Sequence, residues 1–205
     1  LGLADVLLNK LGVDDETRVA GDTRALPTLH LPCGRLQRVD TKRDDVRVFV
    51  DFAHSDDSIR SSLGAVRAVL PKGSSLWCVF GCGGDRDRTK RPRMGQAACD
   101  GADSLVLTSD NPRSEKPSRI VDDVLSGLDA SQRARVEIQI DRDKAIRYAI
   151  QHAKAGDAIV IAGKGHEAEQ ILSDQMGNPV VHHFDDAEHA TDALKDRRSR
   201  AEASA

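Results

Sequence analysis

Leu76-Trp77-Cys78-Val79-Phe80-Gly81-Cys82-Gly83-Gly84-Asp85-Arg86-Asp87-Arg88 passes in one step from five unbroken apolar residues to a glycine-rich turn crowded with charge. A strand with one wet face alternates apolar and polar residues, whereas a strand covered on both faces is apolar throughout. Residues Leu76 to Phe80 therefore read as an interior strand of a parallel sheet. Val46 to Val50, Ser104 to Thr108, Val136 to Ile140 and Ala158 to Ala162 are further short runs rich in apolar and β-branched residues, and read as strands as well. Amphipathic stretches near 56–70, 91–101, 117–128 and 142–154 lie between these runs, each long enough to cross over a sheet. The expected class is α/β, a mostly parallel sheet flanked by helices.

The two ends read differently. Residues 1 to about 30 carry Leu3, Val6, Leu7 and Leu11 at helical steps before Gly12, and Pro27 and Pro32 punctuate the approach to Gly34 and Arg35. A boundary is expected there, giving a first segment 1–32 and a main domain 33–196. Past Gly165 a hairpin is expected, Gln170 to Leu172 against Val180 to His182, turned by Met176-Gly177-Asn178. A last helix is expected from about Asp186 to Leu194, and a disordered polar tail over 197–205. The first residue is Leu rather than Met, so a fragment of a longer protein is expected.

The chain has 205 residues, 39% hydrophobic, which suits one core with extensions. Lys and Arg number 30 against 33 Asp and Glu, and a net charge of −3 favours a small partner over nucleic acid or an anionic membrane. No apolar run approaches the roughly 20 residues of a bilayer span, and no basic-then-apolar leader opens the chain, so a cytoplasmic setting is expected. Cys33, Cys78, Cys82 and Cys99 form no CxxC pair, and neither a disulfide nor a metal site is expected from them.

Four polar loops follow apolar strands: Asp51 to His54, Gly81 to Arg91, Asp110 to Arg113, and Gly163 to Glu167. In an open parallel sheet the strands share one carboxyl edge, where residues distant in sequence converge on a ligand crevice. Glycines at 81, 83 and 84 allow close backbone approach, while the forks of Arg86 and Arg88 suit a carboxylate or phosphate. The plain alternative is a tight turn with solvated charges. In Asp110-Asn111-Pro112-Arg113, proline fixes its own φ and restricts Asn111, which reads as preorganised or as an Asx-type turn. Gly163-Lys164-Gly165-His166-Glu167 lacks the GxxxxGK[ST] spacing of a phosphate loop, and Glu167 could hold an ammonium group. His54 and His166 have no identifiable partner, and no GxSxG, HExxH or Cys-His pattern supports a hydrolase.

Taken in order, Pro32-Cys33-Gly34-Arg35, Val50-Asp51-Phe52-Ala53-His54, the Val79-to-Pro92 segment, Thr108 to Arg113, Ala162 to Glu167 and Phe184-Asp185-Asp186 resemble the C-terminal domain of the Mur ligase family, in its diaminopimelate-adding branch. The resemblance covers nearly all of residues 30–195, and residues 1–30 resemble the end of the preceding central domain. It implies a Rossmann-like sheet in which Arg86, Asn111, Pro112, Arg113, Gly163 and Glu167 bind meso-2,6-diaminopimelate, together with Asp110, which also shapes the same loop. A substrate with two carboxylates and two ammonium groups needs cationic forks at one end and an anion at the other. Arg113 is expected to discriminate against lysine, which lacks the distal carboxylate.

By the same resemblance Arg35, Asp51 and His54 approach ATP. The family's usual His-Thr-Pro-Asp reads His54-Ser55-Asp56-Asp57 here. The implied reaction transfers the γ-phosphoryl of ATP, with Mg2+, to UDP-MurNAc-L-Ala-D-Glu, whose acyl phosphate the diaminopimelate amine then attacks. The phosphate loop and sugar-nucleotide domain lie outside this stretch, so the fragment alone is expected to be inactive, monomeric and without catalytic or metal residues of its own. A stand-alone amino-acid or nucleotide-binding module is the second reading, and a GTNGKT-like loop upstream of Leu1 would separate the two. A dinucleotide oxidoreductase is disfavoured because GCGGDR lacks the GxGxxG register.

Overall fold

A computed structural model describes residues 34–174, 176 and 178–203. Its strands are β1 (Gln37–Arg38), β2 (Arg47–Asp51), β3 (Leu76–Phe80), β4 (Ser104–Leu107), β5 (Val136–Ile138), β6 (Ala158–Ala162), β7 (Glu169–Ser173) and β8 (Pro179–His183). Its helices are α1 (Asp56–Val69), α2 (Lys90–Gly101), α3 (Pro117–Leu125), α4 (Ala130–Arg133), α5 (Arg142–His152) and α6 (Asp186–Ala203). The main sheet runs β1-β2-β6-β3-β4-β5, parallel throughout except for antiparallel β1, and β7 and β8 form a separate hairpin.

Both faces of the sheet are covered, which is why the central strands β3 and β6 are apolar at every position. Along β6, Ala158, Val160 and Ala162 join the core built with α1, α2 and α3, while Ile159 and Ile161 join the core built with α5 and α6. The helices start where local chemistry says they should. Ser55 caps α1, accepting from the Ser58 N–H in a reciprocal capping box, and Asp56 and Asp57 complement its N-terminal dipole. Ser55 keeps the capping function of a threonine, so the departure from His-Thr-Pro-Asp leaves this helix start intact. Pro117 opens α3 and Asp141 caps α5.

The five expected strands and four crossover helices are all present, with ends displaced by a few residues. The fifth strand stops at Ile138 rather than Ile140, because the Ile140 carbonyl turns to accept from Ser109 N and Ser109 Oγ. β1 is too short to carry a period. α4 was signalled by its Asp129-Ala130-Ser131-Gln132 capping box, though not read from the sequence. The hairpin stands where expected, with Gly177 of its turn outside the described residues.

The C-terminus corrects two expectations. The last helix does not stop near Leu194, and residues 197–203 are not a disordered tail: α6 continues to Ala203. Arg197 forks onto Asp45 (2.7 and 2.8 Å) and donates to the Ile150 carbonyl, while Arg198 pairs with Asp44, so long-range contacts hold a segment of weak intrinsic pattern. The expected segment 1–32 lies outside the described residues.

Candidate functional site

The four polar loops follow β2, β6, β3 and β4, which are consecutive in the sheet, so their loops are neighbours at one carboxyl edge. Between them opens a cleft of about 440 Å³. His54, Arg86, Asp110, Asn111, Arg113, Gly163 and Glu167 all line it.

The two loops that carry the arginines are laced together. The Gly84 N–H donates to Asn111 O (2.9 Å), Asp85 accepts from the Ser114 hydroxyl (2.6 Å), and the Asp85 N–H donates to Glu115 (2.7 Å). Glycine is required at 84, where a Cβ would lie 1.9 Å from the Pro112 carbonyl oxygen. Pro112, expected among the substrate-binding residues, is instead buried and outside the cleft lining, and its contribution is to the shape of the loop.

Hairpin strand β7 buckles the Asp110–Arg113 loop from the other side. The Asn111 side-chain oxygen accepts from the Ile171 N–H (2.9 Å), Gln170 donates to Asp110 O (2.9 Å), and the Ser173 hydroxyl donates to Arg113 O. These contacts hold Arg113 at φ 52°, a left-handed conformation disfavoured for a side-chain-bearing residue. Arg113 Nη1 donates to Gly84 O (2.8 Å) and Asn111 O (3.2 Å), and the rest of its fork has no partner among the described residues. The buried Asn111 amide also stands 3.4 Å from the Glu167 carboxylate, placing the anion beside the arginine loop.

Other charges are committed elsewhere. Of the two guanidinium groups in the glycine-rich turn, Arg88 forks onto Asp123 (3.0 Å to each oxygen), and only exposed Arg86 has no hydrogen bond or ion pair among the described residues. Arg91, nearly wholly buried, donates to Glu115, Asp123 and Gly83 O. Its hydrogen bonds hold the Glu115 carboxyl down to about 2. Lys164 is buried with its amine on the Glu169 carbonyl, and burial lowers its pKa, so it does not present a cation to the cleft. Cys82 lines the cleft, but burial pushes its thiol up to about 12, which leaves it unreactive.

The expected nucleotide contacts are less gathered. Asp51 is turned inward, accepting from the Leu36 N–H (2.7 Å) and the Ser62 hydroxyl (2.9 Å). Arg35 stands outside the cleft with its guanidinium 6.0 Å from the Phe52 ring centre, and the exposed His54 ring lies 4.7 Å from the same ring. No group of three or more His, Cys, Asp or Glu among the described residues could hold a metal ion. Gly163, at φ 124°, fits where a Cβ would lie 2.7 Å from the Asp110 carboxylate.

The sequence model of the family described as Mur ligase, glutamate ligase domain, matches residues 34–165. The chain belongs to the Mur ligase family. Among relatives of this Mur ligase domain, the UDP-N-acetylmuramoyl-L-alanyl-D-glutamate–2,6-diaminopimelate ligase of Gloeobacter violaceus is 49% identical over 190 residues, which are 93% of this chain and 36% of that protein. The enzyme of the same description from Neisseria meningitidis serogroup A is 48% identical over 151 residues, 74% of this chain and 29% of that one. A solved structure of a ligase so described superposes with a TM-score of 0.73 at 39% identity, over 94% of this chain and 37% of its own. The UDP-N-acetylmuramate-alanine ligase of Thermotoga maritima, at 16% identity and a TM-score of 0.53, shares the fold. The Mur ligase segment described here thus spans about a third of the length of such relatives.

The residues that sequence reasoning missed are the buried ones. Arg91, Met94 and Ala98 lie on one buried helical face, as do Arg142, Ala145, Ile146 and Ala149. A charge within an apolar stripe was the available signal.

Proposed function

We propose that this chain is the amino-acid-binding domain of an ATP-dependent ligase that joins meso-2,6-diaminopimelate to UDP-MurNAc-L-Ala-D-Glu in cytoplasmic peptidoglycan synthesis. One observation carries the reading: Arg86, Arg113 and Asn111 meet Glu167 around a single cleft. Free guanidinium N–H groups fit carboxylates through paired, charge-assisted bonds, and the carboxylate beside them fits an ammonium group. The names of the relatives support the same substrate.

The chemistry assigned to this domain is binding and orientation. The γ-phosphoryl of ATP passes to the D-glutamyl carboxylate, the diaminopimelate amine attacks that carbonyl, and inorganic phosphate leaves as the amide forms. Holding the amine against the acyl phosphate converts a bimolecular step into one within a complex, an effect that can be large. Arg35 and His54 flank Phe52 and fit a nucleotide approaching from outside the cleft. Asp51 does not fit as a direct contact, since both of its oxygens are engaged within the protein. The acidic groups described here do not fit a Mg2+ site, so the ion is assigned to another part of the ligase.

The test is ligation by the complete enzyme carrying this chain, supplied with ATP, UDP-MurNAc-L-Ala-D-Glu and either meso-diaminopimelate or L-lysine. Strong preference for diaminopimelate is expected, and Arg113→Ala should raise its KM by about 10- to 100-fold, the scale of one charge-assisted contact. Comparable turnover of lysine and diaminopimelate by the wild type would overturn the reading.

A further inference from the structure

Arg142 and Asp186 are both 0% exposed in their side chains, and Arg142 lies against Gly163, which lines the cleft. Arg142 Nε and Nη2 fork onto the Asp186 carboxylate at 2.8 and 2.7 Å. The same guanidinium has two more acceptors: Nη2 donates to Ala162 O (3.0 Å) and Nη1 to Ser109 O (3.4 Å). These carbonyls belong to the residues immediately before Gly163 and Asp110. In the sheet, β6 and β4 flank β3, so one planar group spans the ends of two strands that do not touch each other. Asp186 opens α6 directly after the hairpin whose β7 strand buckles the Asp110–Arg113 loop.

A buried ion pair is a poor device for stability, because desolvating two charges consumes most of what their attraction returns. What this pair supplies is a fixed distance. We propose that Arg142, held in register by Asp186, is a positioning residue for the amino-acid site: it sets the spacing between the loop that carries Arg113 and the loop that carries Glu167. This deepens the diaminopimelate reading and rests on it, since both ends of one diamino diacid are held together only if the cationic and anionic contacts stand within the span of its carbon chain, and a fixed spacing spares the site the cost of ordering itself on binding. Phe184-Asp185-Asp186, which the sequence singled out without a role, thereby acquires one.

The experiment uses the complete ligase with ATP and UDP-MurNAc-L-Ala-D-Glu. The double variant Arg142→Met/Asp186→Leu removes both charges while keeping similar volume, a replacement that commonly leaves a fold intact. Arg142→Lys retains the charge opposite Asp186 but cannot reach both carbonyls as a planar fork. In each folded variant the kcat/KM for diaminopimelate should fall by about 10- to 100-fold, mostly through KM, while the KM for ATP stays within about twofold. If the double variant does not fold, the lysine variant carries the same readout. An unchanged diaminopimelate KM in a folded variant overturns the proposal, and so does a parallel rise in both KM values with loss of thermal stability. A wild-type enzyme indifferent to diaminopimelate overturns the functional reading instead, before any variant is compared.

Discussion

Arg113 stands with positive φ because the hairpin and the glycine-rich loop fix the backbone on both sides of it, and its fork is aimed as a result. Left-handed backbone costs a side-chain-bearing residue roughly 1–2 kcal/mol, and glycine escapes that cost. Arg113→Gly is therefore expected to be more stable than Arg113→Ala by about 1 kcal/mol in urea unfolding, although both lose the fork. Equal midpoints would show that the loop does not impose the conformation. Arg86 and Arg88 illustrate the limit of reading a residue alone. Two residues apart in one turn, they are equivalent in the sequence, yet Arg88 is taken by Asp123 on α3 and Arg86 is left to the cleft.

At the scale of the element, periodicity located the strands and crossover helices because burial on a given face leaves a repeat of 2 or 3.6 residues. It failed at the end of α6, whose last turns are polar and whose order comes from Asp44, Asp45 and the end of α5. Arg197→Ala is expected to cost about 1 kcal/mol, since the pair it breaks is partly exposed. For a chain of this size that lowers Tm by about 2–4 °C. Fast amide exchange across residues 195–203 in the wild type, or an unmoved Tm in the variant, would restore the disordered tail. The amphipathic stretches were read only as crossover helices: within them Arg91 and Arg142 occupy buried positions, and each ties a helix to the loops above it.

For the whole molecule, the link between the glycine-rich turn, the Arg113 loop and α3 runs through Arg91, Glu115 and Asp123. Glu115 has a folded pKa of about 2 against an ordinary 4.5, lowered first by its hydrogen bonds from Arg91. A depressed carboxyl stabilises the fold above its unfolded pKa and loses that contribution as pH falls through the folded one. The stability gap between wild type and Glu115→Gln should therefore be full above about pH 4.5 and close toward pH 2. Urea midpoints measured across that range check it, and a gap that persists unchanged at pH 2 would exclude Glu115 as the titrating group.

The sequence by itself determined the sheet, its two-sided cover and the edge at which chemistry collects. Unbroken apolar strands must be buried on both faces, and parallel strands must deliver their following loops to one side. It also named Arg86, Asp110, Asn111, Arg113 and Glu167, which line one cleft, because glycine, proline and arginine in short loops carry a local signal. Which charges stay free was decided only in three dimensions. Asp51 and Arg88 read as available groups until their partners appear, Leu36 and Ser62 for the one and Asp123 for the other, and a partner brought by the fold leaves no mark on the neighbouring sequence.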